Sequence, residues 1–414
     1  MKNILTKFFS LKNNLYSKKK YFSEISEKTK IDKLFEAISN HSELSEIRYV
    51  GGCVRKILNN EMFDDIDLAT NLKPNEVKEC LKKNNITSFD TGIDHGTITA
   101  RVDEKNFEIT SLRKDVSTDG RRAVVEFTDK WNEDALRRDF TINSIYADKE
   151  GNLFDPNDGV KDLEYGNIKF IGDPEKRIRE DYLRILRYVR FFLNYSKQDH
   201  NLKIKKIIKQ NISGISKLSK ERLIDEFKKL ATSTGFINIV KDDFCKEILL
   251  LIFPQLKNID ILKNLKKNFK DEINEKNFVF LLSLIIIDET DNADFFLYKY
   301  NMSNEAKAKI KFLKEIYDKS DKKEAFSKKN LQKIFYFQGK SYLLDAIDFQ
   351  LCKSNKKNNK LIELKKYFEK LEKPKFPIKA KIIMKKYNLK EGRYLGEKLK
   401  YLENLWVENN FNIS

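Results

Sequence analysis

Two patterns of apolar spacing divide the chain. Up to about residue 165, short runs of alternating apolar and polar side chains are interleaved with brief helical spacings. Beyond that point the alternation stops, and apolar residues recur every three or four positions between short loops. The first region predicts a helix over Ile31–Ser39, a strand ending at Gly51-Gly52, one or two helical turns, and a second strand carrying Asp65-Ile66-Asp67. A helix follows from Lys73-Pro74 to about Lys83, proline being tolerated in a first turn. Strands recur at Thr87–Asp90, Thr97–Val102 and Phe107–Leu112, with a turn at 91–96 and a hairpin loop over Asp103–Asn106. Residues 113–126 read as a polar surface loop. Asp134–Asn143 reads as a helix carrying Arg137, Arg138, Asp139 and Asn143, and Phe154–Gly159 as the turn that closes the sheet. The expected fold is an α+β head with a mixed sheet over 31–165, behind a basic extension at 1–30, then helices alone, divided at 166–235, 236–330 and 331–414.

In the helical part, Glu180–Leu193 gathers Tyr182, Ile185, Leu186, Val189, Phe192 and Leu193 on one side, with Asp181, Arg184, Arg187 and Arg190 on the opposite half. Asp181 and Arg184, three apart, are expected to be surface neighbours. Ser219 is the expected N-cap of the helix after it. The longest apolar run, Phe278–Ile287, is about half the length a membrane span needs, so a packed bundle and no membrane contact are expected.

Composition narrows the partners. A net charge of +18 points to a polyanion, although the lysine excess also tracks a general bias toward Lys, Asn, Ile and Phe. Four cysteines without C-x-x-C spacing suggest neither a disulfide framework nor zinc, and fit a reducing compartment. None of the three histidines is followed by Asp, which argues against an appended histidine-aspartate phosphohydrolase. Residues 1–22 are basic without an acidic residue and lack the apolar core of a secretory signal. They carry Lys where a mitochondrial presequence favours Arg, so a bacterial cytoplasmic protein is the favoured reading and a mitochondrial one the alternative. The oligomeric state is left open.

The candidate chemistry lies in RYVGGCVRKILNNEMFDDIDLAT (residues 48–70). On a strand, Asp65 and Asp67 face the same way, and two neighbouring carboxylates repel unless a cation stands between them. A hard divalent ion such as Mg²⁺ is the simplest such partner. The glycine turn, Gly52 within it, lets backbone approach a phosphate, and Arg55 can point to the same place. A buried-facing Glu108, beside Thr110 on the hairpin's second strand, would complete three carboxylates. This is the pattern of a metal-dependent nucleotidyl transfer site.

These motifs, with T-G-I-D-H-G-T-I-T, F-E-I-T-S-L-R, R-R-D-F-T-I-N and E-D-Y-L-R in order, resemble the class II tRNA nucleotidyltransferases (CCA-adding enzymes) of the DNA polymerase β-like superfamily. The resemblance is strongest over about residues 47–230. Lys56 stands where many relatives carry Asp. It implies an elongated head, neck, body and tail, Mg²⁺ as cofactor, and tRNA, CTP and ATP as partners. Asp65, Asp67 and Glu108 would be catalytic. Arg138 would meet the triphosphate, with Arg137 less directly involved, and Asn143 would hold the ribose side. Asp181 and Arg184 would select the base by accepting its amino hydrogen bond and donating to its ring nitrogen. Arg187 and Arg190 would meet phosphates or pin the helix, residues 113–126 would help switch from C to A, and the Lys-rich tail would contact tRNA. Rival expectations are a poly(A) polymerase, a CC- or A-specific enzyme, and an inactive RNA-binding protein, which would be expected to lose a carboxylate.

Overall fold

The computed structural model describes residues 18–63, 65–118, 123–264, 277–322, 324–354 and 358–412. They pack as two units divided between Glu226 and Phe227.

The first unit is organised by a seven-stranded mixed sheet, which is the head expected from the alternating pattern. Its strands are β1 Ile47–Val50, β2 Asp67–Thr70, β3 Thr87–Gly92, β4 Thr97–Val102, β5 Lys105–Ser111, β8 Tyr146–Ala147 and β9 Leu153–Phe154, in the order β3-β4-β5-β2-β1-β8-β9. β2 runs parallel to β5, and every other pair is antiparallel. Central β2 buries Leu68, Ala69 and Thr70 in succession, as a strand covered on both faces does. β4 and β5 turn through Asp103 and Glu104 alone, Val102 pairing with Lys105, so the loop is tighter than expected. Helix α2 (Asp32–Ser39) packs Leu34, Phe35, Ala37 and Ile38 inward. Helix α4 (Pro74–Lys83) opens with Pro74 in its first turn and with Lys73 N–H donating to Glu76 Oε2 at 2.7 Å.

Several local expectations change. Residues 18–29, part of the basic extension, form helix α1 on the head: Phe22 is buried against Tyr49 at 5.2 Å between ring centroids. Residues 1–17 of that extension lie outside the described residues. The stretch expected as a polar loop holds two antiparallel strands, β6 (Arg113–Thr118) against β7 (Ala123–Phe127), and residues 119–122 are outside the described residues. Helix α5 spans only Trp131–Arg137; Arg138 is extended, and Asn143 ends a separate 3₁₀ turn, Thr141–Asn143.

Beyond the sheet, α6 (Gly159–Tyr165), α7 (Pro174–Glu180), α8 (Leu183–Tyr195), α9 (Leu202–Asn211) and α10 (Lys220–Ala231) confirm the change to helix. Arg222 N–H reaches Ser219 Oγ at 3.4 Å, consistent with the expected cap. The second unit is helical throughout its described residues. The apolar run becomes helix Phe278–Ile286, buried on nearly every side, and Leu331, Phe335, Leu343, Ile347, Leu361 and Phe368 form a further core. Among the described residues no helix is long and apolar enough to cross a membrane.

Candidate active site

The acidic rim comes from the pairing of β2 with β5. Parallel register sets Asp67 directly opposite Glu108, and both side chains are exposed while Leu68, Phe107 and Ile109 are buried. Glu108 therefore does not face the core as expected; it stands on the solvent side beside Asp67, where a ligand can reach it. β2 begins at Asp67, so Asp65 lies on the extended approach to the strand and is exposed as well. Their oxygens are not gathered within 4.8 Å of one another. All three offer hard oxygen donors, the set that suits Mg²⁺. Cys53, behind the rim, donates its S–H toward the main-chain carbonyls of Val50 (3.3 Å) and Asp67 (3.7 Å). Burial pushes its thiol up to about 11, so it supports the strand as a neutral group and does not join the oxygen donors.

The turn after β1 places the cations. Gly51 has φ of +71°, which a side chain would strain, and a Cβ there would lie 3.7 Å from Arg138 Nη1. The left-handed residue is thus Gly51. Gly52 starts helix α3 (Gly52–Leu58), with Arg55 Nη2 4.0 Å from the position its Cβ would occupy. Arg55 is buried and donates from Nη1 to Asn143 Oδ1.

Two buried carboxylates that sequence reasoning passed over, or named without a partner, set these groups. Asp134 accepts from Arg137 Nε at 2.8 Å, Arg138 Nη2 at 2.9 Å and the Tyr146 hydroxyl at 2.6 Å. Asp139 accepts from Asn143 Nδ2 at 2.8 Å and from Arg187 Nε at 2.6 Å. Burial alone would raise both carboxyls, but Arg138 and Arg137 hold Asp134, and Arg187 holds Asp139, well below the usual carboxylate range. A group held below its unfolded value, about 4, contributes stability that is complete above that pH and lost as the pH falls toward the folded value. Asp134→Ala should destabilise the head by about 3–5 kcal/mol by stranding two guanidinium groups. Urea titrations at pH 7 and about pH 3 should show the wild type losing more stability on acidification than the variant does.

The helix expected over Glu180–Leu193 is broken. α7 ends at Glu180, Asp181 is extended, and α8 starts at Leu183, whose N–H donates to Asp181 Oδ1 at 3.1 Å. Asp181 and Arg184 are consequently not paired with each other. Asp181 Oδ2 takes Arg222 Nη2 at 2.8 Å, whereas Arg184 Nη1 donates to Glu180 Oε2 at 2.8 Å and to the Arg177 carbonyl at 2.7 Å. Each is half-buried and set by other groups. Arg187 is held by Asp139, and Arg190 by Glu226 at 2.5 Å, so these two pin the helix. α8 also buries Tyr188 and Phe191, which the helical wheel had not gathered on the apolar side.

The profile described as the Poly A polymerase head domain matches residues 47–169. The chain is 32% identical over 380 residues to "CCA tRNA nucleotidyltransferase 1, mitochondrial" of Mus musculus, covering 90% of this chain and 85% of that one. It is 39% identical over 228 residues to the "CCA-adding enzyme" of Lactobacillus helveticus, covering 51% and 55%. In fold it is similar to the Bacillus stearothermophilus CCA-adding enzyme solved in complex with CTP, with a TM-score of 0.63, 21% identity, and coverage of 91% and 92%.

Proposed function

The chain belongs to the CCA-adding tRNA nucleotidyltransferases and adds C, C and A to the tRNA 3′ end from CTP and ATP, and from that premise we propose how its residues share the work. The observation that supports this division is a continuous chain of bonds, Arg55 to Asn143 to Asp139 to Arg187, linking the glycine turn to the helix after Asp181. In the reaction the terminal hydroxyl oxygen of tRNA bonds to the α-phosphorus, the bond to pyrophosphate breaks, and the hydroxyl proton is released. Asp65 and Asp67 would hold two Mg²⁺ ions, with Glu108 close by. When bound, such ions lower the hydroxyl's pKa and offset the charge on the phosphates. Arg55 and Arg138, beside Gly52 and Gly51, orient the triphosphate, since a guanidinium fork matches phosphate oxygens. Asn143 steadies Arg55 and the ribose side of the pocket. Asp181 and Arg184 choose the base, and the tail, residues 331–414, holds tRNA through its lysines, with affinity that falls in salt. A bacterial cytoplasm is the compartment we infer, on the reducing, lysine-rich composition.

A tRNA transcript lacking its final three nucleotides, given CTP and ATP separately and together, should gain C-C from CTP alone and C-C-A from both, then stop. Long A tails would identify a poly(A) polymerase, a stop after C-C with both nucleotides a partial enzyme, and binding without extension an inactive scaffold.

A further inference from the structure

Arg55 is a buried cation with no carboxylate to neutralise it. It is 5% exposed, its Nη1 reaches the neutral Asn143 amide, and its buried Nε has no hydrogen-bond partner. Among the described residues no Asp or Glu lies within ion-pair distance of it. What holds it are two aromatic side chains on α8: its Cζ lies 4.8 Å from the centre of the Phe191 ring and 5.2 Å from that of Tyr195, whose hydroxyl also interacts with the guanidinium. Four residues apart, these rings share one stripe of the helix. Both are fixed from behind. Phe191 meets Phe140 edge-on at 5.2 Å, and the Tyr195 hydroxyl donates to Glu61 Oε2 at 3.1 Å.

Neighbouring cations are treated differently. Arg187 and Arg190 also approach the Phe191 ring, at 5.4 and 4.2 Å. Yet Arg187 has Asp139, and Arg190 has Glu226. Of three guanidinium groups around one ring, Arg55 alone is left uncompensated. Burying a charge is costly unless something answers it. A ring face and an amide oxygen reduce that cost without cancelling the charge, whereas a carboxylate would cancel it. The positive charge is thereby kept for an anion arriving from outside.

We propose that Phe191 and Tyr195 are positioning residues that hold Arg55, still charged, for the triphosphate of any incoming nucleotide. This rests on the assignment of Arg55 to the triphosphate. Because the rings touch no group assigned to base choice, they govern phosphate affinity and leave base preference alone.

The probe is inorganic triphosphate, which carries no base, read as an inhibitor of CTP addition. Phe191→Leu and Tyr195→Leu keep apolar volume and should each weaken it about 10-fold. KM for CTP and ATP should rise alike, with kcat changed far less and the CTP-to-UTP preference kept. Phe191→Tyr, which restores a ring face, should recover the affinity. Arg55→Gln should weaken triphosphate strongly, and adding Phe191→Leu to it should cost nothing more. Tyr195 is only half-buried, so Tyr195→Leu reads the same contact if Phe191→Leu fails to fold. If Arg55→Gln weakens triphosphate while neither ring variant does, the rings do not hold Arg55 and the inference fails alone. If ring and arginine losses multiply in the double variant, the rings act through the fold and the inference also fails. If Arg55→Gln leaves triphosphate affinity intact, the assignment of Arg55 fails and takes the inference with it.

Discussion

Replacing Asp65 or Asp67 by Ala should lower the rate of nucleotide addition at least about 10³-fold while leaving tRNA affinity nearly unchanged. The size follows from the several kcal/mol that a held metal ion contributes to such a transition state, each 1.36 kcal/mol being about tenfold in rate. The selectivity follows from placement. Both side chains are exposed, Asp67 at the start of β2 and Asp65 on the approach to it, so their removal opens no cavity. Glu108, opposite Asp67 in register but on the neighbouring strand, should give a smaller loss in the same assay. Single-turnover extension paired with filter binding of tRNA separates chemistry from recognition. Full turnover in Asp67→Ala would move the metal site elsewhere.

Much of this rim was legible in the sequence because it depends on short spacings. The glycine turn, the basic residue three positions after Gly52 and the alternation of Asp65 and Asp67 are all local features. What lies across the sheet was not legible locally. Glu108 meets Asp67 only because β2 and β5 run parallel, a pairing that spans some forty positions and has no hairpin turn to announce it. The side of the sheet was misjudged for the same reason: alternation says which residues share a face, and packing decides which face is covered.

The break at Asp181 escaped detection because E-D-Y-L-R has no Gly or Pro, the usual marks of an interrupted helix. Here Asp181 is extended and its carboxylate accepts from the Leu183 N–H where α8 starts, a local side-chain bond that competes with a continuous helix. A wheel phased from Glu180 put Phe192 on the apolar side and passed over Phe191. In the fold α8 is flanked by the head's Phe140 and Arg55 as well as by its own core, so it buries more than one stripe. Asp134 and Glu226 looked like ordinary helical acids. Tertiary packing brings Arg187 and Arg190 to Glu226, whereas Asp134 takes Arg137 and Arg138 from three and four positions further along its own stretch.

Asp181→Ala and Arg184→Ala carry the second large effect. Cytosine and adenine both offer an amino donor beside a ring-nitrogen acceptor, and uracil and guanine offer the reverse. With both protein groups in place, a wrong base leaves two polar groups facing like partners, at about 1–3 kcal/mol each. Arg222 and the Leu183 N–H take one carboxylate oxygen of Asp181 each, and Glu180 with the Arg177 carbonyl holds one terminal nitrogen of Arg184, so each side chain is oriented before any nucleotide arrives. Losing one group should remove one of the two penalties, about 10- to 100-fold in discrimination, and should slow correct addition as well. The most direct measurement is therefore the ratio of kcat/KM for CTP over UTP on a tRNA lacking C-C-A, for the wild type and each single variant. A ratio that falls by about one to two powers of ten in both variants is the expected result. A ratio unchanged in both would mean that the base is chosen by something other than these side chains.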